Sequence, residues 1–305
     1  MRWARVDIVA ARCRRSWILV LVAGLAGLVL YRAMWLIPGA RRVGLDRTPN
    51  STGALPALAP RPDHPLAPAL QRARESYAHI DRAIKDYTAT LVKHERVGDE
   101  LVEPETMFTK IRHEQLQNGR VVTPFSVYLR FEGPERIKDR EVLYVAGHND
   151  GKLLVRENPR SLTGKLMSTT SLNPAGMFAM RGNRYPITEV GIKNLIQRLI
   201  DVAEEEMRYD ECEVTIDPSA QLDGRKCQCI QVIHPVRRSY FRFHLARIYV
   251  DDQQNVPISY ESYDWPQVEG QQPPLIEKYT YHKLQLNVGL TDRDFDPANP
   301  EYHFD

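Results

Sequence analysis

An excess of charge of either sign is missing from this sequence. Its 305 residues carry 41 Lys and Arg against 39 Asp and Glu, a formal net charge of +2. That balance excludes strong electrostatic steering toward acidic surfaces. No basic stripe is interleaved with aromatics, so nucleic acid is not an expected partner. Cysteine is scarce, at 4 residues. Cys13 lies beside an apolar run near the N-terminus; Cys227 and Cys229 share a face of one β-type run and are poorly placed to pair with each other. Cys212 lies in the preceding β-type run and can meet one of them across a hairpin. Three buried thiols and one disulfide are both compatible with that spacing, and no His or Cys at zinc-site spacing accompanies them.

The common fingerprints of chemistry are also absent. No H-E-x-x-H, G-x-S-x-G, P-loop or G-x-G-x-x-G pattern occurs, so no reaction, cofactor or metal is read from the sequence and no catalytic residue is assigned. His94-Glu95 and His113-Glu114 are neighbours on strand-like runs, where adjacent side chains point to opposite faces and cannot share one proton or metal. Asp292, Asp294 and Asp296 have the alternate spacing of a calcium loop, but Pro297 stands where the turn glycine belongs and His303 where the closing glutamate belongs.

A long unbroken apolar run is lacking as well. Residues 16–31 are uncharged and apolar, Arg32 interrupts, and residues 33–37 extend the run. With Arg32 snorkelling, the span 16–37 reaches roughly the 20 residues a bilayer core needs. Residues 1–15, with Arg2, Arg5, Arg12, Arg14 and Arg15 against Asp7, supply the positive flank of an uncleaved anchor, N-terminus inside. A cleaved signal peptide is the rival reading, but no small-x-small cleavage site stands out. Residues 38–68 hold Pro49, Pro56, Pro60, Pro62, Pro65 and Pro68 and read as a semi-extended linker. The expected location is the inner membrane, single-pass, with residues 69–305 periplasmic and residues 16–37 in contact with the cytoplasmic membrane.

What is present is β-pattern. Residues 124–158 organise the chain: Phe125, Val127, Leu129 and Phe131 alternate with Ser126, Tyr128, Arg130 and Glu132, the period of a half-buried strand. Gly133-Pro134 breaks that run, residues 141–146 form a second, Asn149-Asp150-Gly151 supplies a turn, and Leu153 begins the return. Residues 86–97 and 106–114 precede this meander. Five further β-type runs, 211–216, 226–234, 241–250, 256–263 and 276–286, come after residue 208. Two helices are expected. Leu70, Ala73, Tyr77, Ile80 and Ile84 make one stripe over residues 69–85. Ile192, Leu195, Ile196, Leu199, Ala203 and Met207 make another over 189–208, with Thr188 as N-cap. Residues 159–185 read as a long loop, with room for a short helix. Without strand-helix-strand alternation the sheet is antiparallel and the helices lie on one face. Tyr260, Tyr263, Tyr279 and Tyr281 can line a groove or simply pack across strands.

Particular stretches resemble a planctomycete family of membrane-anchored proteins of unknown function over about residues 70–305: Asp86-Tyr87-Thr88-Ala89, Arg140-Glu141-Val142-Leu143-Tyr144-Val145 with Asn149-Asp150-Gly151-Lys152-Leu153, and the tail 289–304. The order of elements resembles the LolA/LolB lipoprotein carriers and the periplasmic sensor RseB. That resemblance implies an α+β fold: a strongly curved antiparallel sheet, a half-barrel, with helices over its concave face and an apolar cavity between. The expected function is a non-enzymatic, membrane-anchored binding module for lipid, acyl chains or lipoprotein. Its cavity would be lined by Phe125, Val127, Leu129, Phe131, Ile192, Leu195, Ile196 and Leu199. A cell-envelope sensor or protein-interaction module without a lipid cavity is the alternative. Charged residues within the inward-facing set would argue against a cavity for lipid.

Overall fold

Alternation of apolar and polar residues in successive runs fixes the architecture. The computed structural model describes residues 62–158, 161, 169–268 and 270–304; the basic segment, the apolar span and most of the proline-rich linker lie outside them. Helix α1 is Ala67–Ala83, with Pro68 in its first turn, where the missing N–H is no loss. The strands that follow are β1 Asp86–Val97, β2 Glu100–Leu101, β3 Glu105–Arg112, β4 Gln115–Gln117, β5 Arg120–Thr123, β6 Ser126–Gly133, β7 Glu141–Val145, β8 Leu153–Arg156 and β9 Thr170–Leu172. Helix α2 is Ile192–Glu206. A second run completes the sheet: β10 Glu213–Leu222, β11 Arg225–Ile233, β12 Leu245–Asp251, β13 Pro257–Tyr263 and β14 Leu275–Leu286.

Each run is a meander, and β14 joins them by pairing with β1. The order across the sheet is β10-β11-β12-β13-β14-β1-β3-β6-β7-β8-β9, with β2 on β1 and the β4-β5 hairpin separate. Every pairing is antiparallel. The sheet is open, its edges being β9 and β10. The chain passes from one edge to the other through residues 173–212, and α2 lies on this crossover. Helices α1 and α2 run antiparallel, tied by Arg74–Glu204 at 2.7 Å and Lys193–Asp81 at 2.5 Å. Both pack on the main core, where Ile80, Ile192 and Ile196 meet Tyr87, Ile111 and Val127.

The other face is covered differently. Tyr128 and Leu143 point away from the helices and pack with Phe295 and Tyr302 of the C-terminal tail. Tyr302 stacks on Tyr128 with ring centroids 4.0 Å apart. Asp294 closes a capping box with Thr291 and pairs with Lys110, while Asp292 pairs with Arg112. The alternate aspartates are thus used to seat the tail.

Two expectations are corrected. Thr188 does not cap α2: the N-cap is Gly191, at φ 114°. The hydroxyl of Tyr87, from β1, accepts the Ile192 N–H at 2.9 Å. A side chain from a distant strand does there what a local hydroxyl usually does. Residues 159–185 are not all loop, because Thr170–Leu172 pairs with β8 as the edge strand β9. That strand has only three residues, too few for alternation to show. Cys212, Cys227 and Cys229 are free thiols. The Asn149-Asp150-Gly151 turn takes positive φ at all three residues, as its composition requires.

Candidate functional site

The hollow lies between the concave face and α2. Inward residues of neighbouring strands fall into rows set by the register. The deepest row is Tyr87–Ile111–Val127–Tyr144. Next come Ala89–Thr109–Leu129–Val142–Val155 and then Tyr281–Leu91–Met107–Phe131. All but Thr109 are apolar or aromatic, and Thr109 donates to the carbonyl of Ala89. The fourth row is Tyr260–Tyr279–Lys93–Glu105 and the fifth Ser262–Glu277–Glu95. The inward face therefore changes from apolar to charged over two rows, on three strands at once.

The deep end is sealed. Gly191 sits so close to β1 that an added Cβ would lie 2.9 Å from the Tyr87 hydroxyl. Its positive φ and this contact both require glycine. From there a cavity of about 1260 Å³ runs along the sheet toward the charged rows, above the usual range of roughly 300–1,000 Å³ for small-molecule sites. Leu129, Phe131, Val142, Leu195 and Leu199 line its apolar part; Lys93, Glu95, Glu105, Arg184 and Glu277 line the other.

The charged end is a built network. Lys93 Nζ lies 2.9 Å from Glu105 and 3.6 Å from Glu95. Glu95 and Glu277 stand directly opposite each other on paired strands, a like-charge juxtaposition that needs compensation. Arg184, on the crossover, provides it. Its backbone N–H donates to Glu95 at 3.0 Å, its Nε to Glu277 at 3.1 Å and its Nη1 to the Arg96 carbonyl at 2.7 Å. The Tyr279 hydroxyl donates to Glu95 and lies 3.2 Å from the Glu277 carboxylate. Burial pushes the Glu277 carboxyl above the usual range; Arg184 opposes that and the Glu95 charge adds to it. Burial likewise raises Tyr185, to about 12, and keeps it a neutral donor. Such a wall can cradle a charged or zwitterionic group next to an apolar tunnel.

The residues expected to line the cavity divide in two. Leu129, Phe131, Leu195 and Leu199 border the hollow. Val127, Ile192 and Ile196 are buried in the packed floor beneath it, and Phe125 packs against that core beside Tyr144. Tyr260, Tyr279 and Tyr281 border the cavity, while Tyr263 is not among its lining residues. Sequence reading missed Lys93, Glu95, Glu105, Arg184 and Glu277. The signal was there in β1, where the inward positions read Tyr87, Ala89, Leu91 and then Lys93 and Glu95.

The solved structures that match the chain are distant. A putative outer membrane lipoprotein-sorting protein domain from Vibrio parahaemolyticus is 13% identical, with 74% of this chain and 95% of that chain covered and a TM-score of 0.35. The lipoprotein LppX of Mycobacterium tuberculosis is 10% identical, with 75% and 99% covered and a TM-score of 0.38. The MucA/MucB complex of Pseudomonas aeruginosa is matched at 13% identity and a TM-score of 0.39, over 75% of this chain and 60% of that one. No protein of curated function matches the chain. One family model does, and it spans the whole sheet, from the residues before β1 to the tail that seals the outer face. It is described as a protein of unknown function (DUF1571), it matches residues 84–304, and this chain belongs to that family.

Proposed function

We propose that the domain is a non-enzymatic binding module for an amphipathic ligand with an acyl chain: a lipid, a free acyl chain or the lipid moiety of a lipoprotein. One observation carries the reading, the cavity of about 1260 Å³ whose sheet wall is apolar in its three deeper rows and charged in the two beyond them. Inward charge would oppose lipid binding if it were spread along the tunnel, because an apolar chain would desolvate it. On the sheet wall it is segregated, and Arg198 and Glu189 on the helix side pair with each other, so a chain can lie on the Leu129 and Leu199 side while its headgroup meets Lys93, Arg184 and the glutamates. Burying about twelve methylenes gains roughly 10 kcal/mol, enough to offset an association cost of several kcal/mol. The N-terminal apolar run and the proline-rich linker belong to the same proposal: they would tether the module to the inner membrane, on its periplasmic side.

Organic extraction of the purified full chain followed by mass spectrometry tests this. Acyl lipid should be recovered in near-stoichiometric amount, and Met107→Trp, which fills the apolar part, should lower it. An empty cavity that also fails to bind a fluorescent fatty acid would sink the proposal.

A further inference from the structure

The charged end of the cavity is unequal in sign. Glu95, Glu105 and Glu277 are buried there, and the cations set among them are Lys93 and Arg184. Most other charges that border the cavity fall into pairs: Arg198 with Glu189, Arg140 with Glu157 and Arg136 with Glu103. Arg136 also reaches Glu105, at 3.7 Å, but is half exposed and nearer to Glu103. Arg242 pairs with Glu205, which lies outside the lining, and the exposed Arg181 and Glu100 offset each other at the rim. Among the described residues the buried set therefore carries one negative charge more than it has cations to meet.

Hydrogen-bonding capacity is unequal in the same direction. An ammonium has three donors and no acceptor, whereas a carboxylate has about four lone-pair sites. Three oxygens surround Lys93 Nζ: Glu105 at 2.9 Å, Glu95 at 3.6 Å and the Asn183 side-chain carbonyl. Arg184 commits its Nε to Glu277 and its Nη1 to the Arg96 carbonyl. Glu105, by contrast, faces Lys93 through Oε2, and its Oε1 is 3.7 Å from Arg136, beyond a hydrogen bond. Tyr260 and Tyr279, paired across β13 and β14, border the same stretch, with Tyr281 one row deeper. Tyrosines beside carboxylates hold an ammonium group through ring faces and charge-assisted hydrogen bonds. An anion would have to draw Lys93 or Arg184 from a buried glutamate and leave that carboxylate unpaired.

We propose that the charged end of the cavity selects the head of the ligand: an amphiphile bearing an ammonium group is bound in preference to a neutral one, and an anionic head is rejected. Glu105 offers the free oxygen, the surplus charge shared with Glu95 and Glu277 favours the cation, and the acyl chain lies along Leu129 and Leu199. The inference rests on the acyl-binding reading above and adds the class of headgroup to it.

Displacement of the neutral fluorophore N-phenyl-1-naphthylamine from the purified full chain by dodecylamine, dodecanol and dodecanoate tests this, since the three share a chain and differ in head. Dodecylamine should act at a concentration about tenfold below dodecanol, the effect of one charge-assisted hydrogen bond, and dodecanoate should be the weakest. Glu105→Gln should close most of the gap between amine and alcohol, and Glu277→Gln, which removes the surplus charge, should narrow it. Dodecanol should displace the probe equally from all three proteins, which reports an intact cavity. Lysophosphatidylethanolamine and lysophosphatidylglycerol of one chain length separate the sources: preference for the first extends the site to aminophospholipids, and an equal response confines it to simple amines. Equal potency of the three dodecyl heads, a tighter dodecanoate, or an amine preference unchanged in both variants would overturn this inference and leave the acyl-binding reading standing. No displacement by any of the three would overturn both.

Discussion

The two faces of one sheet have opposite interiors. On the convex face Tyr128 and Leu143 meet Phe295 and Tyr302, and the tail fills the space completely enough to bury all four. On the concave face the same strands turn Leu129, Phe131 and Val142 toward a hollow, with Leu195 and Leu199 half-buried across it. Both faces carry apolar side chains, Leu129 and Val142 on one and Tyr128 and Leu143 on the other, so pattern alone does not separate solid from hollow. What separates them is the cover. A tail can follow every contour of the sheet, whereas a helix is a stiff cylinder that touches a curved surface along one line. Space remains where the sheet bends away from it.

Substitutions put numbers on this contrast. Tyr302→Ala should cost the most, about 4 kcal/mol in chemical denaturation, because it removes the stack on Tyr128 and the hydroxyl donated to the Asp294 carbonyl at 2.6 Å. A much smaller loss would mean the convex side is loosely closed.

The two ends of the concave face should differ in the sign of their pH dependence. At the sealed end burial drives the His113 imidazole down from 6.5 to about 4, and its Nε2 has no partner. The folded state keeps it neutral while the unfolded chain protonates it. Its contribution is present above pH 6.5 and falls by about 3 kcal/mol as pH drops toward 4. Glu277 at the open end has a raised carboxyl, so its contribution is present at low pH and is lost as pH rises through that folded value. Melting temperature against pH should therefore flatten on the acid side in His113→Gln and rise above the usual carboxylate range in Glu277→Gln. The same slope in both variants and the parent would refute the assignment.

Truncation distinguishes the faces more finely. Leu143→Ala should cost about 3 kcal/mol and Leu199→Ala about 1, since Leu199 has fewer close neighbours to lose. Equal costs would mean that the concave side is packed. The smallest effect is the reverse substitution: Leu129→Phe should change stability by less than about 0.5 kcal/mol, whereas Leu143→Phe should overpack its site and cost about 2.

Much of the fold was legible because it is local. Strand β1 occupies residues 86–97 as the alternation indicates, and the helical stripes locate α1 and α2 to within about three residues at each end. Short or remote features were not. Strand β9 has too few residues to carry a period, and the cap on α2 belongs to Tyr87, which is 105 positions away from Ile192. The candidate site was half legible. Leu129, Phe131, Leu195 and Leu199 follow from their faces, but Glu277 and Arg184 join the cavity only because β14 pairs with β1 and the crossover returns over their ends.

The sequence by itself determined where the longer strands lie, which side chains share a face, and that the sheet is antiparallel with amphipathic helices against it, since these depend on periods of two and 3.6 along a local stretch. Only the tertiary structure decided that charged residues from three strands align at one end, that Gly191 seals the other, and that the tail fills one face while the helix leaves the other open. Cross-strand register and the shape of the cover are properties of contacts between distant segments, and no local pattern encodes them.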